Sequence, residues 1–327
     1  MMNAEMRSFQ LAFHERWHHL KNPHVRAMAW LLYAPNLLDN DAPQWQGKIA
    51  SLENSVDDEV NHWLIDLERQ PDELQASLDI NRFTRLGRYA EKLLAVYFAH
   101  VNRLHVHGLQ VRAGKDETVG EFDFILREKE GLVHWEFATK FYLLCSRNAA
   151  YAQIQQADYF VGPNLADTLG AKMKKIFGRQ LLLGTHPAAQ ALLSEPLVAA
   201  HALVKGWLFY RKEEPIDTLA MGISPSHCHG WWCTLAEFDD HVGDDCAVLP
   251  RLAWLAPARL PREEGMQRAN LRDWLTQHFH DDPMPVMVAT FKKQGDELLE
   301  VDRGFVVPND WKERANERVR RLVAPSR

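Results

Sequence analysis

Cysteine is scarce in this chain: Cys145, Cys228, Cys233 and Cys246 are the four thiols in 327 residues. So few, so widely spread, do not make a disulfide framework, and reduced thiols in a cytoplasmic setting are expected. No apolar run reaches the length of a membrane-spanning helix, so no membrane partner is expected. The N-terminus Met1-Met2-Asn3-Ala4-Glu5-Met6-Arg7 carries an acid and has no apolar stretch behind it, which argues against a secretory signal. Excess positive charge is missing too. A formal net charge of −6 excludes a protein that coats nucleic acid through general basicity, but not an enzyme that grips phosphates locally. No glycine-rich phosphate loop follows an expected strand, Ser224 lacks a nucleophile-elbow setting, and Cys145 has no adjacent histidine. Common nucleotide-binding motifs and hydrolase triads are therefore not indicated.

What is present reads as an ordinary folded chain, with 46% hydrophobic and 25% charged residues and no internal repeat or low-complexity segment. Its length allows one large core or two to three smaller units. Residues 1–78 read as helical, with apolar periodicity over Val25 to Leu38 and Val56 to Leu67 and a break at Asp39 to Pro43. Phe83 to Leu104 is the clearest helix, striped by Leu86, Ala90, Leu93, Leu94, Tyr97 and Val101, with Glu91 beside the stripe and Gly87 placed for close approach to a sheet. Leu109 to Val111 opens a strand. Helices are expected over Asn148 to Phe160 and Ala166 to Phe177, a short strand over Gln180 to Leu183, and a core strand over Lys205 to Arg211. Beyond Pro215 come short strands and turns, a hairpin about Gly295-Asp296, and a closing helix from Asp310 to Leu322 started by Asn309.

The chemistry gathers between those elements. In Gly120-Glu121-Phe122-Asp123-Phe124-Ile125-Leu126, alternation puts Phe122, Phe124 and Leu126 on one face and Glu121, Asp123 and Ile125 on the other. After a turn over Arg127 to Gly131, Val133 to Leu143 again separates Val133, Trp135 and Phe137 from His134, Glu136 and Ala138. Hydrolysis of a phosphodiester needs a divalent cation, and hard oxygen ligands such as Asp123 and Glu136 suit Mg²⁺ or Mn²⁺. Lys140 is the candidate catalytic ammonium, placed to orient water or stabilise a developing oxyanion. In an extended strand it lies roughly 13 Å from Glu136, so a bulge at Phe137-Ala138-Thr139 is expected to bring it back.

Glu91 on a helix, Asp123 on a strand, and Glu136 with a lysine on the next strand resemble the PD-(D/E)XK, or restriction-endonuclease-like, nuclease superfamily over roughly residues 83–211. The wider chain resembles the bacterial family called domain of unknown function 1853. That likeness rests on Thr118-Val119-Gly120-Glu121-Phe122-Asp123, Trp135 through Leu143, Val161-Gly162-Pro163-Asn164 with Asp167 and Lys172, and Gly230-Trp231-Trp232. The resemblance implies an α/β fold with a core of helix, three strands, helix and strand over 79–212. An N-terminal helical segment (1–78) precedes it, and a strand-rich region ending in a helix (213–327) follows. It implies Asp123 and Glu136 as metal ligands, Lys140 as the catalytic lysine and Glu91 as an auxiliary carboxylate. The superfamily's commoner lysine position, two residues after the glutamate, is occupied by Ala138.

Bland readings stand beside these. Two acids on a hairpin can be mere surface carboxylates, and Glu121 competes with Asp123 for the metal. Lys172, Lys174, Lys175 and Arg179 are either a phosphate-tracking face or a solvated helix, with Lys172 and Arg179 the weak substrate-binding candidates. Asp167 is a helix N-terminal charge or the ion-pair partner of Lys172. The cluster His14, His18, His19 and His24 is read as a solvated face in preference to a metal site, and His227-Cys228-His229 with Cys233 as a packed turn in preference to zinc. The functional expectation is a Mg²⁺-dependent nuclease acting on DNA or RNA, and its alternative is a noncatalytic binding or scaffold protein that retains the fold.

Overall fold

Apolar positions spaced by three and four residues wind the first part of the chain into α1 (Phe9–Arg16), α2 (Pro23–Tyr33), α3 (Asp58–Arg69), α4 (Pro71–Leu78) and α5 (Leu86–His100). Side-chain caps set the starts of three of them, Asp57 accepting from the Val60 N–H at α3. The Ser8 side chain accepts from the Leu11 N–H at α1, and Asn22 accepts from the His24 and Val25 N–H groups ahead of Pro23 at α2. The structure is a computed structural model and describes residues 8–52, 57–78, 85–115, 117–146, 156–212 and 221–321. Phe83, the expected start of α5, and most of the helix expected from Asn148 lie outside the described residues. The end of that second stretch is a 3₁₀ turn at Gln156–Tyr159 followed by a strand.

Three antiparallel strands follow α5: β1 (Leu104–Arg112), β2 (Thr118–Glu128) and β3 (Gly131–Leu144). Next come β4 (Phe160–Val161), α6 (Leu169–Lys175), a π-helical turn at Ile176–Gln180, α7 (Pro187–Gln190) and β5 (Leu197–Tyr210), which returns parallel to β3. Gln180 to Leu183 is thus not a strand but the end of the π turn leading into a 3₁₀ turn, closed by the Leu181 N–H donating to the Ile176 carbonyl. The remaining elements are β6 (Cys228–Thr234), β7 (Asp245–Val248), β8 (Arg259–Pro261), β9 (Met266–Gln267), α8 (Arg268–Asp281), β10 (Val286–Gln294), β11 (Glu297–Val307) and α9 (Trp311–Arg321). The expected hairpin is β10–β11, with Gly295 at its turn adopting φ +61°.

Among the described residues the strands form one mixed sheet in the order β1-β2-β3-β5-β6-β11-β10-β7-β9, with β4 on β3 and β8 on β11. The fold is α/β with a large central sheet. α5 covers one face near the start of the sheet, Phe98 meeting Phe124 and Trp135 edge-on at centroid distances of 5.2 and 5.5 Å. The largest apolar cluster draws on the N-terminal helices, β3, β5, β11 and α9 together, so the sheet and core run across the segments read from the sequence.

A polar network fastens the N-terminal helices to β11, an interior strand of that sheet. Arg303 and Glu300 are fully buried. The Arg303 guanidinium donates to both Glu300 carboxylate oxygens at 2.6 and 2.7 Å, to the Ala256 carbonyl at 2.7 Å and to the Trp254 carbonyl, and lies 4.3 Å from the Trp207 ring centroid. His14 joins it from α1: Arg26 donates to His14 Nδ1 at 3.2 Å, and His14 Nε2 is 3.1 Å from the Glu300 carbonyl. Burial, with Arg26 adding to it, holds the His14 imidazole down at about 3. His14 is therefore a neutral core residue, which corrects its expected place on a solvated face.

Candidate functional site

β2 and β3 part company just where the two acids sit. Their ladder runs from Glu128↔Gly131 to Phe124↔Trp135 and then ends, while β2 continues on β1 alone as far as Thr118. At this fork the Phe137 N–H has lost its neighbouring β2 carbonyl, and Asp123 Oδ2 accepts from it at 2.9 Å. The simple alternation expected for β2 fails at the same point. Phe122 and Ile125 share one apolar cluster, and Phe124 and Leu126 belong to the other. Glu121 remains exposed and pairs across the ladder with Gln110, which leaves Asp123 as the acid that turns into the fork.

Glu136 fills the fork from the β3 side and is 1% exposed. Gln180 Nε2, from the π turn, donates to its Oε1, and Lys172 Nζ lies 3.8 Å from the same oxygen and donates to Gln180 Oε1 at 3.1 Å. Glu136 Oε2 is buried without a hydrogen-bond partner of good geometry, 3.9 Å from the Nε2 of fully buried His134. Burial, then the adjacent Asp123 carboxylate, push the Glu136 carboxyl up to about 9. Burial lifts Asp123 to about 6 against the stabilising Phe137 N–H, and Glu91 adds to the rise. Two acids this close share a proton in preference to holding two charges. Burial also lowers the Lys172 ammonium from its ordinary value, opposed by Glu136.

The structure brings Asp123 and Glu136 together and gives Lys140 a different partner. The bulge expected at Phe137-Ala138-Thr139 is absent, because β3 and β5 stay in register from Val133↔Ala199 through Leu143↔Phe209. Lys140 instead donates to Asp167 Oδ2 at 2.9 Å, an oxygen that also accepts from the Tyr142 hydroxyl at 2.9 Å. Asp167 is thus the partner of Lys140, not of Lys172. Gly206 allows this stretch of β3 to lie close, since a Cβ there would fall 1.9 Å from the Lys140 carbonyl oxygen. Gly87 makes no such demand, its nearest neighbour for an added Cβ being Thr139 Oγ1 at 3.9 Å. Glu91 is held by His107 at 2.8 Å and acts on Asp123 through its charge. Arg179 is exposed and directed to the Val119 carbonyl at 3.5 Å.

Gln180 and His134 were not legible as site residues. No local motif marks Gln180, which reaches Glu136 only because α6 passes into a wider turn, a feature that recurs at functional sites. Cys228 and Cys233 belong to different apolar clusters, and His227 is tied to Tyr210 at 2.9 Å and to the Ser224 carbonyl at 2.7 Å. Among the described residues no group of three His, Cys, Asp or Glu side chains is arranged to hold a metal ion, so a cation here would rest on two carboxylates. The same residues contain no helix long and apolar enough to cross a membrane.

The raised carboxyls carry a stability consequence. Between its ordinary value of 4.5 and about 9, Glu136 binds more protons in the folded chain than in the unfolded one. Its contribution is fully present below pH 4.5 and is lost as pH rises toward 9. The melting temperature in the presence of a chelator is expected to fall across that window, and Glu136→Gln to flatten the slope. Parallel pH profiles for parent and variant would show that Glu136 is not the proton's seat.

Comparison with curated proteins and with solved structures returns no match. A family model described as domain of unknown function (DUF1853) matches residues 26–307, most of the chain, and the protein belongs to that family.

Proposed function

We propose that this protein is a phosphodiester-cleaving enzyme, a nuclease, working with Mg²⁺ or Mn²⁺ held between Asp123 and Glu136 in a restriction-endonuclease-like core. The observation that supports it is the buried Asp123–Glu136 pair with the Lys172 ammonium 3.8 Å from Glu136. The donor set fits such a cation: two adjacent carboxylates match an ion that takes one or two protein carboxylates and completes its shell with water and substrate phosphate. A bound cation supplies Lewis acidity toward a phosphoryl oxygen and a more acidic water.

The protein groups do the rest. Gln180 fixes the Glu136 carboxyl through Oε1, beside the Asp123 carboxyl with which it would hold the cation. Lys172, braced by Gln180 Oε1, brings positive charge to the place expected of Lys140 and suits a developing negative charge on phosphate. Because Glu136 holds a proton up to about 9, a cation held there would compete with that proton, and its affinity is expected to rise with pH.

The test is cleavage of a panel of single- and double-stranded DNA and RNA with and without Mg²⁺ or Mn²⁺. Cation-dependent cleavage is expected, reduced on the order of 10²-fold by Lys172→Met, which keeps the stem and removes the charge. Binding of nucleic acid with no cleavage under either cation would favour the noncatalytic alternative. Full turnover in Lys172→Met would remove that lysine from the mechanism.

A further inference from the structure

Lys140, displaced from the carboxylate pair, belongs to a second cavity. It measures about 240 Å³ and lies between the start of α5 and the later half of β3, with Arg85, Thr139, Lys140, Tyr142, Asp167 and Arg251 in its wall. Three cations face one carboxylate there. Asp167 is already engaged by Lys140 and by the Tyr142 hydroxyl, so it holds the ammonium in place without cancelling the arginines. Arg85 and Arg251 are exposed and have no ion-pair partner among the described residues, Arg251 lying 5.4 Å from the Trp254 ring centroid. Arg85 is also the N-cap of the 15-residue α5 and offers no side-chain cap, so the positive end of that helix adjoins the cavity.

Surplus positive charge in a cavity that adjoins a helix start suits an oxyanion with several acceptor oxygens. We propose that this cavity binds a backbone phosphate of the nucleic-acid strand whose scissile phosphate lies at Asp123 and Glu136, an inference that rests on the nuclease reading. Lys140 stands four residues along β3 from Glu136, roughly 13 Å in an extended strand. Its ammonium is tied to Asp167 and acts on Lys172 through its charge, so the cavity adjoins the carboxylate pair, and the phosphate it grips belongs to the nucleotide next to the scissile one. The site selects for a polynucleotide over a mononucleotide, and sets the strand's path along β3.

Two titrations of the full chain test this. Short single-stranded oligonucleotides are titrated in the Asp123→Asn background, which separates binding from cleavage, and inorganic phosphate is titrated into the parent. Lys140→Met with Arg251→Ala, both away from the buried core, is expected to weaken oligonucleotide binding about tenfold or more. It should also reduce the slope of log affinity against log salt by about 0.7 for one lost phosphate contact. Unchanged affinity and slope in the double variant overturn the site. Phosphate binding that the double variant loses, with no oligonucleotide bound by any form, keeps an anion site but overturns its assignment to a nucleic-acid strand. Oligonucleotide binding lost in the double variant, with no cleavage by the parent, keeps the strand-binding site and removes the nuclease reading.

Discussion

Asp123→Asn is expected to lower cation-dependent cleavage on the order of 10²-fold or more while the protein stays folded. The substitution removes, at almost constant volume, one of the two carboxylates proposed to hold the cation. It preserves the structural duty of the side chain, because the asparagine carbonyl oxygen can still accept the Phe137 N–H that Asp123 accepts at 2.9 Å. It also removes the neighbouring negative charge that helps hold Glu136 up at about 9, so Glu136 should titrate lower in the variant. Cleavage rates across a cation series, with the circular dichroism melt as a control, check both parts. Parent-like turnover in a folded Asp123→Asn protein would show that Asp123 is no ligand.

Arg303→Met should cost about 3–5 kcal/mol of stability, the largest effect expected of any single change away from the site. Arg303 and Glu300 are both fully buried, so removal of the guanidinium strands a carboxylate whose remaining donor is the Ala258 N–H at 2.7 Å. The carbonyls of Trp254 and Ala256 lose their donor as well. Adding Glu300→Leu removes the stranded charge and is expected to recover a large part of the loss. Chemical denaturation of the parent, both single variants and the double variant measures the coupling. A loss below about 1 kcal/mol for Arg303→Met would mean that water reaches the pair and satisfies it.

The helices and strands that carry the site were legible because their signals are local. The stripe Leu86, Ala90, Leu93 and Tyr97 makes α5, and alternation in Val133, Trp135 and Phe137 makes β3. Boundaries moved where tertiary contacts intervened: α5 ends at His100, and Leu104, expected as its last turn, opens β1. The misreadings share a cause. A strict period of two in β2 assumes unbroken pairing, and it broke where β2 leaves β3, sending Phe122 to the other face from Phe124. His14 looked solvated among charged neighbours, yet its partners Arg26 and Glu300 come from α2 and β11.

What the sequence alone determined is the proximity of Asp123 and Glu136. A tight turn between two β-forming runs allows little but antiparallel pairing, and their distances from that turn place them opposite one another. Which lysine joins them was decided by the tertiary structure. The segment from Leu169 to Gln180 folds back beside β3, and its passage into a π turn brings Gln180, with Lys172, against Glu136. Lys140, nearer in sequence, is kept away because continuous pairing with β5 holds β3 extended and Asp167 captures its ammonium. Distances along a strand follow from backbone geometry, but contacts across a crossover depend on where a whole helix comes to rest, which no local pattern encodes.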